Sequence, residues 1–299
     1  MCVYDVAIIG LGPAGATAAI YSAKYNLKTI VIGQVPGGTA AEAHKICNYP
    51  PFVEIKGFEL AQRFLQHVQA MNVEIVFGKV ENVEKKKEFF ELDAGDKKIQ
   101  AKKIVIATGT KRKQLGIARE NEFRGKGISY CATCDGMFYK NKVVGIVGGG
   151  NSALTAALLL SEFAEKVYIF YGKDKFYKAE PAWTEQVLKN KKIKSEFNVE
   201  IKELVGKGAL ESVKLTNGKE VKLGGLFVEI GSNPNTSAVE NLGLKKDERG
   251  YIVVDENCRT SMKGVYAAGD ITNHKLKQIV VAEADGAVAA TSIYHELMG

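Results

Sequence analysis

Two glycine-rich turns, each set between an apolar run and a helix of small residues, constrain this chain more than any other feature. The first is Gly10-Leu11-Gly12-Pro13-Ala14-Gly15, a G-x-G-x-x-G pattern. It follows Val3-Tyr4-Asp5-Val6-Ala7-Ile8-Ile9, a near-continuous apolar run of the kind shown by a parallel strand buried on both faces. A helix is expected over Ala16–Tyr25 and a strand over Thr29–Ile32. In that setting Gly10 and Gly12 let the turn close and the backbone approach a pyrophosphate, while Gly15 lets the helix pack on the strand. The helix N-terminus, Pro13 and Ala14 included, offers free N–H groups and a partial positive charge. The second turn is Gly148-Gly149-Gly150-Asn151-Ser152-Ala153, with Ala in the third glycine's place. It lies between an expected strand at Lys142–Val147 and a helix at Ser152–Phe163, with a strand at Lys166–Phe170 after it. Two complete βαβ starts predict an α/β chain with two dinucleotide folds.

A length of 299 residues favours two domains over one. The net charge of +7, from 41 basic and 34 acidic residues, is mild, and no dense basic arm suggests nucleic acid. The five cysteines, Cys2, Cys47, Cys131, Cys134 and Cys258, are an odd and sparse set, unlike a secreted disulfide scaffold. No basic leader with a cleavage site precedes the first strand, and no apolar run is long enough to span a bilayer. The expectation is a cytoplasmic protein without a membrane partner.

Gly37-Gly38-Thr39 and Asn48-Tyr49-Pro50-Pro51 read as loops, and Phe58–Met71 has helical apolar spacing. Alternating segments near Val73–Val83, Phe89–Leu92 and Lys98–Gln100 suggest a small antiparallel sheet. A further buried strand, Lys103–Ala107, ends at Thr108-Gly109-Thr110, a natural second contact with a bound dinucleotide. A domain crossing is placed near Leu115–Ala118. The second fold is completed by a helix at Ala182–Lys189 and strands near Lys194–Glu203, Ser212–Leu215, Glu220–Leu223 and Gly225–Ile230. The turn-rich Gly231–Thr236 marks the return crossing. A strand at Tyr251–Val254, the run Gly264–Asp270 and a helix at Leu276–Leu297 close the chain. The expected fold is two Rossmann-like three-layer ββα domains, the second inserted into the first: 1–115, 116–234 and 235–299.

Between the two turns lies Ser129-Tyr130-Cys131-Ala132-Thr133-Cys134-Asp135-Gly136. Thiols two residues apart can close a disulfide or open it, one attacking a partner disulfide and the other resolving the mixed product. Asp135 can protonate a leaving thiolate. No second C-x-x-C or His pair supplies the ligands a zinc site needs, so no metal is expected. Two inert thiols are the blander alternative. A redox pair needs a source of electrons, and a flavin can take a hydride and pass an electron pair to a disulfide. FAD is therefore expected in the first site and a nicotinamide in the second. The FAD-binding set is Gly10, Gly12, Pro13, Ala14, Gly15, Gly37, Gly38, Asn48, Ala107, Thr108, Gly109, Gly269, Asp270, Lys277, Gln278 and Ile279. Asp270 can bind a ribitol hydroxyl or simply cap a helix, and the segment at Lys277-Gln278-Ile279 can aim N–H groups at the flavin edge. The acid that generally ends the second strand is replaced by Gly33 and Gln34.

Taken together, the Gly10–Gly15 turn, Gly37-Gly38, Ala107-Thr108-Gly109, Cys131-Ala132-Thr133-Cys134-Asp135-Gly136, the Gly148–Ala153 turn and Gly269-Asp270 resemble the low-molecular-weight thioredoxin reductases in order and spacing. The resemblance covers nearly the whole chain. It implies that Cys134 faces the flavin, that Cys131 attacks thioredoxin or a glutaredoxin-like protein, and that Asp135 is the acid catalyst. It also implies a homodimer whose inserted domain rotates about the two crossings, and FAD binding without an acid at Gly33. One departure is informative. Members that use NADPH carry His-Arg-Arg and a further Arg after the second-domain strand, whereas Tyr171-Gly172-Lys173-Asp174-Lys175-Phe176-Tyr177-Lys178 has no Arg. Lys173 and Lys178 are the candidate second-site cations, beside Gly148, Gly149, Gly150, Asn151, Ser152 and Ala153. Lysines give point charges rather than a bidentate fork. The donor is NADPH or NADH, or alternatively reduced deazaflavin or ferredoxin. A flavin-dependent dithiol oxidase and a non-enzymatic nucleotide-binding partner are the competing functions.

Overall fold

A computed structural model describes residues 3–43, 46 and 48–298, apart from the side chain of Cys134. In chain order it begins with β1 (Val3–Ile9), α1 (Pro13–Lys24), β2 (Thr29–Gly33), α2 (Gly57–Ala70), β3 (Glu74–Phe77), β4 (Asn82–Lys85), β5 (Phe90–Ala94), β6 (Lys97–Ile106) and β7 (Thr110–Arg112). Next come α3 (Glu120–Phe123), β8 (Ile128–Ser129), α4 (Ala132–Asp135), β9 (Val143–Val147), α5 (Asn151–Ser161), β10 (Lys166–Tyr171), α6 (Pro181–Lys189) and β11 (Ile193–Phe197). β12 (Ile201–Val205), β13 (Ser212–Leu215), β14 (Glu220–Lys222), β15 (Gly225–Val228), β16 (Ser232–Pro234), β17 (Val265–Ala267) and α7 (Ile279–Met298) complete it. The chain divides into two compact units, Met1–Lys111 with Asn233–Gly299, and Arg112–Ser232. Among the described residues no helix is long and apolar enough to cross a membrane.

In the first unit the strand order is β3-β2-β1-β6-β5-β4, with β17 also on β6. β1 pairs in parallel with β2 and β6, so that Ile9 faces Ile32 on one side and Ile106 on the other. Val6, Ile8, Val31 and Val105 join the core shared with α1 and α7. Ala7, Ile9, Ile30, Ile32, Ile104 and Ile106 join the opposite core, with β4, β5 and residues 238–252. Both faces are covered, which is why these strands read as unbroken apolar runs.

In this unit several expected elements differ. Lys98–Gln100 and Lys103–Ala107 are one strand, β6, whose start pairs antiparallel with β5 and whose end pairs in parallel with β1 and β17. Val73–Val83 splits into β3, parallel to β2, and β4, antiparallel to β5. The antiparallel arm is thus an extension of the main sheet, because alternation reports burial and not the choice of partner. Tyr251–Val254 forms no strand: only Ile252 bridges, to Lys246 and Thr272, and it alone is fully buried there.

The second unit has the all-parallel order β11-β10-β9-β15-β8. Val144, Ile146, Val167 and Ile169 pack with α5, while Phe170 and Val228 face the core of the antiparallel β12-β13-β14 sheet. The expected strand Lys194–Glu203 is two, interrupted at Asn198, whose φ of 56° is a left-handed turn that Asn tolerates. β7 and β16, where the chain passes between units, pair as a two-stranded ribbon.

α1 and α7 approach closely through small residues. A Cβ on Gly286 of α7 would lie 2.2 Å from the carbonyl oxygen of Ala14. Farther along, Tyr25 and Tyr294 stack at 4.5 Å between centroids. Gly286→Ala should force these helices apart and cost about 1–3 kcal/mol. Urea unfolding checks this: the midpoint should fall while the m-value stays constant.

Candidate functional site

The carboxyl ends of β1, β2 and β6 open onto a cleft of about 610 Å³, within the range of small-molecule sites. The glycine fingerprint divides its labour there. Gly10, at φ 119°, sits against β6: a Cβ would lie 2.2 Å from the Ala107 carbonyl oxygen. Gly15 lies under Gly10, where a Cβ would be 1.9 Å from that residue's carbonyl oxygen. Both are therefore demanded by the fold. Gly12 is not, since its φ is −79° and its nearest neighbour to a Cβ is 3.9 Å away. Its missing side chain leaves open space in the cleft, as the close approach of a ligand backbone requires. α1 starts there with no side-chain cap and no acid in its first turn, so its N–H groups are available to an anion. The residues present fit a dinucleotide.

Most sequence-predicted residues line this cleft: Gly10, Gly12, Pro13, Ala14, Gly38, Ala107, Thr108, Gly109, Gly269, Asp270, Lys277, Gln278 and Ile279. Gly15 and Gly37 support it instead. Gly37, at φ 76°, passes so close to α2 that a Cβ would lie 2.3 Å from the Ala61 Cβ. Asn48 reaches the rim by donating from Nδ2 to Gln278 Oε1 at 3.0 Å. The absent acid at the end of β2 has a steric cause: a Cβ on Gly33 would lie 2.6 Å from the Leu11 Cβ.

Other lining residues carry no local signal. Glu42 comes from the short 3-10 helix Gly38–Glu42, Lys79 and Val80 from the loop after β3, and Asn235 from the return crossing. Asn235 fixes the turn after β6, because its carbonyl oxygen accepts from Thr108 Oγ1 at 2.7 Å and its N–H donates to Gly109 at 2.9 Å. The turn-rich composition of 231–236 hinted at a loop, but only the fold puts it beside Thr108. On α7, buried Asp285 accepts from the Gly269 N–H at 3.0 Å and faces His274 Nδ1 at 3.1 Å. It thereby positions the Gly269-Asp270 turn. Burial pushes the Asp270 carboxyl above its ordinary range, with the Lys277 ammonium opposing and Asp285 adding to the rise. Burial likewise lowers the Lys277 ammonium, which lies 4.4 Å over the Tyr251 ring.

In the second unit Cys131 is disulfide-bonded. Cys134 lies in α4, three residues on, and its side chain is outside the described residues. Ser129, fully buried, orients the loop. Its hydroxyl donates to Asp135 Oδ2 at 2.7 Å and accepts from the Cys131 N–H at 3.1 Å. A role for Ser129 was not apparent from the motif. Immediately after, Met137 and Phe138 are 63% and 75% exposed, an apolar pair beside the thiol turn. Cys2 and Cys47 fall outside the described residues. Cys258 is buried and free, its thiol pushed up to about 12 by desolvation, which keeps it inert at neutral pH.

The second fingerprint repeats the first. Gly148, at φ 142°, rests on β15, where a Cβ would lie 2.2 Å from the Glu229 carbonyl oxygen. Gly150 has open space like Gly12, with only Lys178 Cβ at 4.0 Å. α5 begins there uncapped, and Ala153 is fully buried in the helix–sheet contact. Asn151 donates to Glu180 Oε1 and accepts from the Glu180 N–H, each at 2.7 Å. Ser152 is exposed on the first turn of α5. Lys178 bridges to Gly150, whereas Lys173 stands at the far end of β10, where its carbonyl accepts from Asn198.

Residues 4–286 match the pyridine nucleotide-disulphide oxidoreductase family. The chain is 38% identical to the thioredoxin reductase of Bacillus subtilis (strain 168) over 300 aligned residues, covering 98% of this chain and 94% of that one. The fold is similar to the thioredoxin reductase of Lactococcus lactis in its FR conformation, with a TM-score of 0.95, 35% identity and 99% of each chain covered. The thioredoxin reductase of T. acidophilum gives a TM-score of 0.93 at 39% identity, again over 99% of each chain.

The division of labour among the glycines is testable. Gly12→Ala should leave the unfolding midpoint near that of the wild type yet weaken dinucleotide retention in the first cleft by about tenfold or more. Gly15→Ala should lower the midpoint itself. Urea unfolding and the cofactor content after gel filtration separate the two outcomes.

Proposed function

The chain belongs to the pyridine nucleotide-disulphide oxidoreductase family, and from that premise we propose that it is a thioredoxin reductase, an oxidoreductase that reduces the disulfide of thioredoxin or a glutaredoxin-like protein. The observation that carries this reading is the disulfide-bonded Cys131 on a turn ordered by Ser129 and Asp135, in a unit that also holds a second glycine fingerprint. FAD would be held in the first cleft by the α1 N-terminus and the turns at Thr108 and Asp270. When bound it supplies a carrier that accepts a hydride and passes an electron pair to a disulfide. The unit Arg112–Ser232 is then the pyridine-nucleotide domain, with the donor at Gly148–Ala153.

We assign Cys134 as the partner of Cys131. In the reduced pair the Cys131 thiolate attacks one sulfur of the protein substrate, forming a mixed disulfide and expelling a thiolate. Cys134 then attacks the Cys131 sulfur, which restores the intramolecular disulfide and frees the second substrate thiol. Asp135 delivers a proton to a leaving thiolate, held in place by the Ser129 hydroxyl at 2.7 Å. Exposed Met137 and Phe138 offer apolar contact to a macromolecular partner rather than to a small dithiol. Exposed Tyr21, Val280 and Val288 on α1 and α7 support a homodimer. A cytoplasmic setting agrees with the sparse cysteines.

Cys134→Ser should leave the flavin reducible by its donor while thioredoxin reduction falls at least about a hundredfold, or about 2.7 kcal/mol of transition-state stabilisation. Thioredoxin turnover at the wild-type rate in that variant would sink the mechanism. Phe138→Ala should raise KM for thioredoxin several-fold with little change in the anaerobic bleaching of the flavin.

A further inference from the structure

We infer that the second glycine fingerprint takes a dinucleotide whose adenosine ribose has free hydroxyls, NADH rather than NADPH, and that Glu200 is the residue that discriminates. This rests on the reading of Arg112–Ser232 as the donor domain. The two units share one register at the relevant edge. Gly10 N–H donates to Ile32 at 2.7 Å in the first, and Gly148 N–H donates to Phe170 at 3.1 Å in the second. Tyr171 therefore stands where Gly33 does, at the strand end that generally reads the adenosine ribose.

The packing there is inverted between the units. In the first, the Leu11 side chain covers Gly33. In the second, Gly149 lies under the Tyr171 ring, where a Cβ would be 2.5 Å from the ring carbons. That ring stacks on Phe176 at 5.9 Å, which in turn meets Phe197 edge-on at 4.9 Å. A neutral aromatic wall thus occupies the strand end. The next residue, Gly172, has no side chain to keep a neighbour away, and a Cβ on it would lie 2.9 Å from Glu200 Oε1. This brings a carboxylate to the end of β10 from the segment after β11, a placement invisible in the local sequence around Tyr171.

Glu200 is held there by its backbone. Its N–H donates to Thr216 Oγ1 at 3.1 Å and its carbonyl accepts from the Thr216 N–H at 3.0 Å. The preceding Val199 N–H donates to the Tyr171 carbonyl at 3.3 Å. The nearby cations do not make a phosphate clamp. Lys178 pairs through its backbone with Gly150, at the glycine turn itself. Lys175 lies 5.1 Å over the Tyr177 ring, and Tyr177 donates to Asp174 at 2.9 Å. Lys173 is exposed just past the end of β10 and, as a lysine, offers one point charge rather than a fork. A ribose diol can donate to the Glu200 carboxylate, whereas a 2′-phosphate would meet like charge without a guanidinium fork.

Calorimetric titration of the FAD-loaded protein with 5′-AMP, 2′,5′-ADP, NADH and NADPH tests this without relying on turnover. We expect NADH and 5′-AMP to bind at least about tenfold tighter than their 2′-phosphorylated counterparts. Glu200→Gln should shrink that ratio, and Glu200→Arg should reverse it. Equal or tighter binding of the 2′-phosphorylated ligands by the wild-type protein overturns the inference, as does binding of none of the four. A ratio unchanged in folded Glu200→Gln removes Glu200 from the role. Thioredoxin reduction by protein whose flavin has been reduced with dithionite reports separately on the reductase reading, because it needs no nucleotide.

Discussion

Each nucleotide fold depends on one close approach, a backbone carbonyl lying against the α-carbon of a glycine. Ala107 does this to Gly10 and Glu229 does it to Gly148, and in both places a Cβ would sit 2.2 Å from the carbonyl oxygen. The glycines hold φ values of 119° and 142°, which side chains forbid. Because the turn can fold back onto the neighbouring strand, the helix begins almost at once. Its uncapped N-terminus is then delivered to the carboxyl edge of the sheet. The apolar cores on both sheet faces hold that geometry, and the cleft at Gly12 is what remains open.

The parts of this arrangement that were legible in the sequence are those written by neighbours in the chain. The strand–turn–helix units, the uncapped helix starts and the thiol turn all follow from local spacing, as do the terminal helix and Asp270. What escaped was written by distant partners. The bent strand β6 reads as two because its halves pair with different neighbours, β5 and then β1. Asn235, Asp285 and Ser129 act through hydrogen bonds whose partners only the fold supplies. Glu200 is the sharpest case. Tyr171 and Gly172, at the end of β10, carry no acid of their own, and the carboxylate arrives from another segment over a glycine that leaves room for it.

The two units share a plan and differ where chemistry must differ. Leu11 over Gly33 and Gly149 under Tyr171 fill the same place in opposite senses, so the core tolerates the exchange while the ribose edge changes character. The first unit keeps a cleft in which half-buried Asp270 and Lys277 each favour the other's charged form against desolvation. The second carries the thiol turn on a buried serine and leaves Met137 and Phe138 in solvent. Such a division suits the proposed reductase, whose electrons would enter from a small nucleotide and leave into a macromolecule.

The central claim is that the Cys131 disulfide is a redox centre in series with the flavin, and not a staple. Anaerobic reductive titration of the FAD-loaded protein, followed by flavin absorbance and thiol counting, measures this directly. The wild-type protein should take up two electron pairs per chain, one held as new thiols, and Cys131→Ser should take up only the flavin's pair. Equal uptake by the two proteins, with no new thiols in the wild type, would contradict the account.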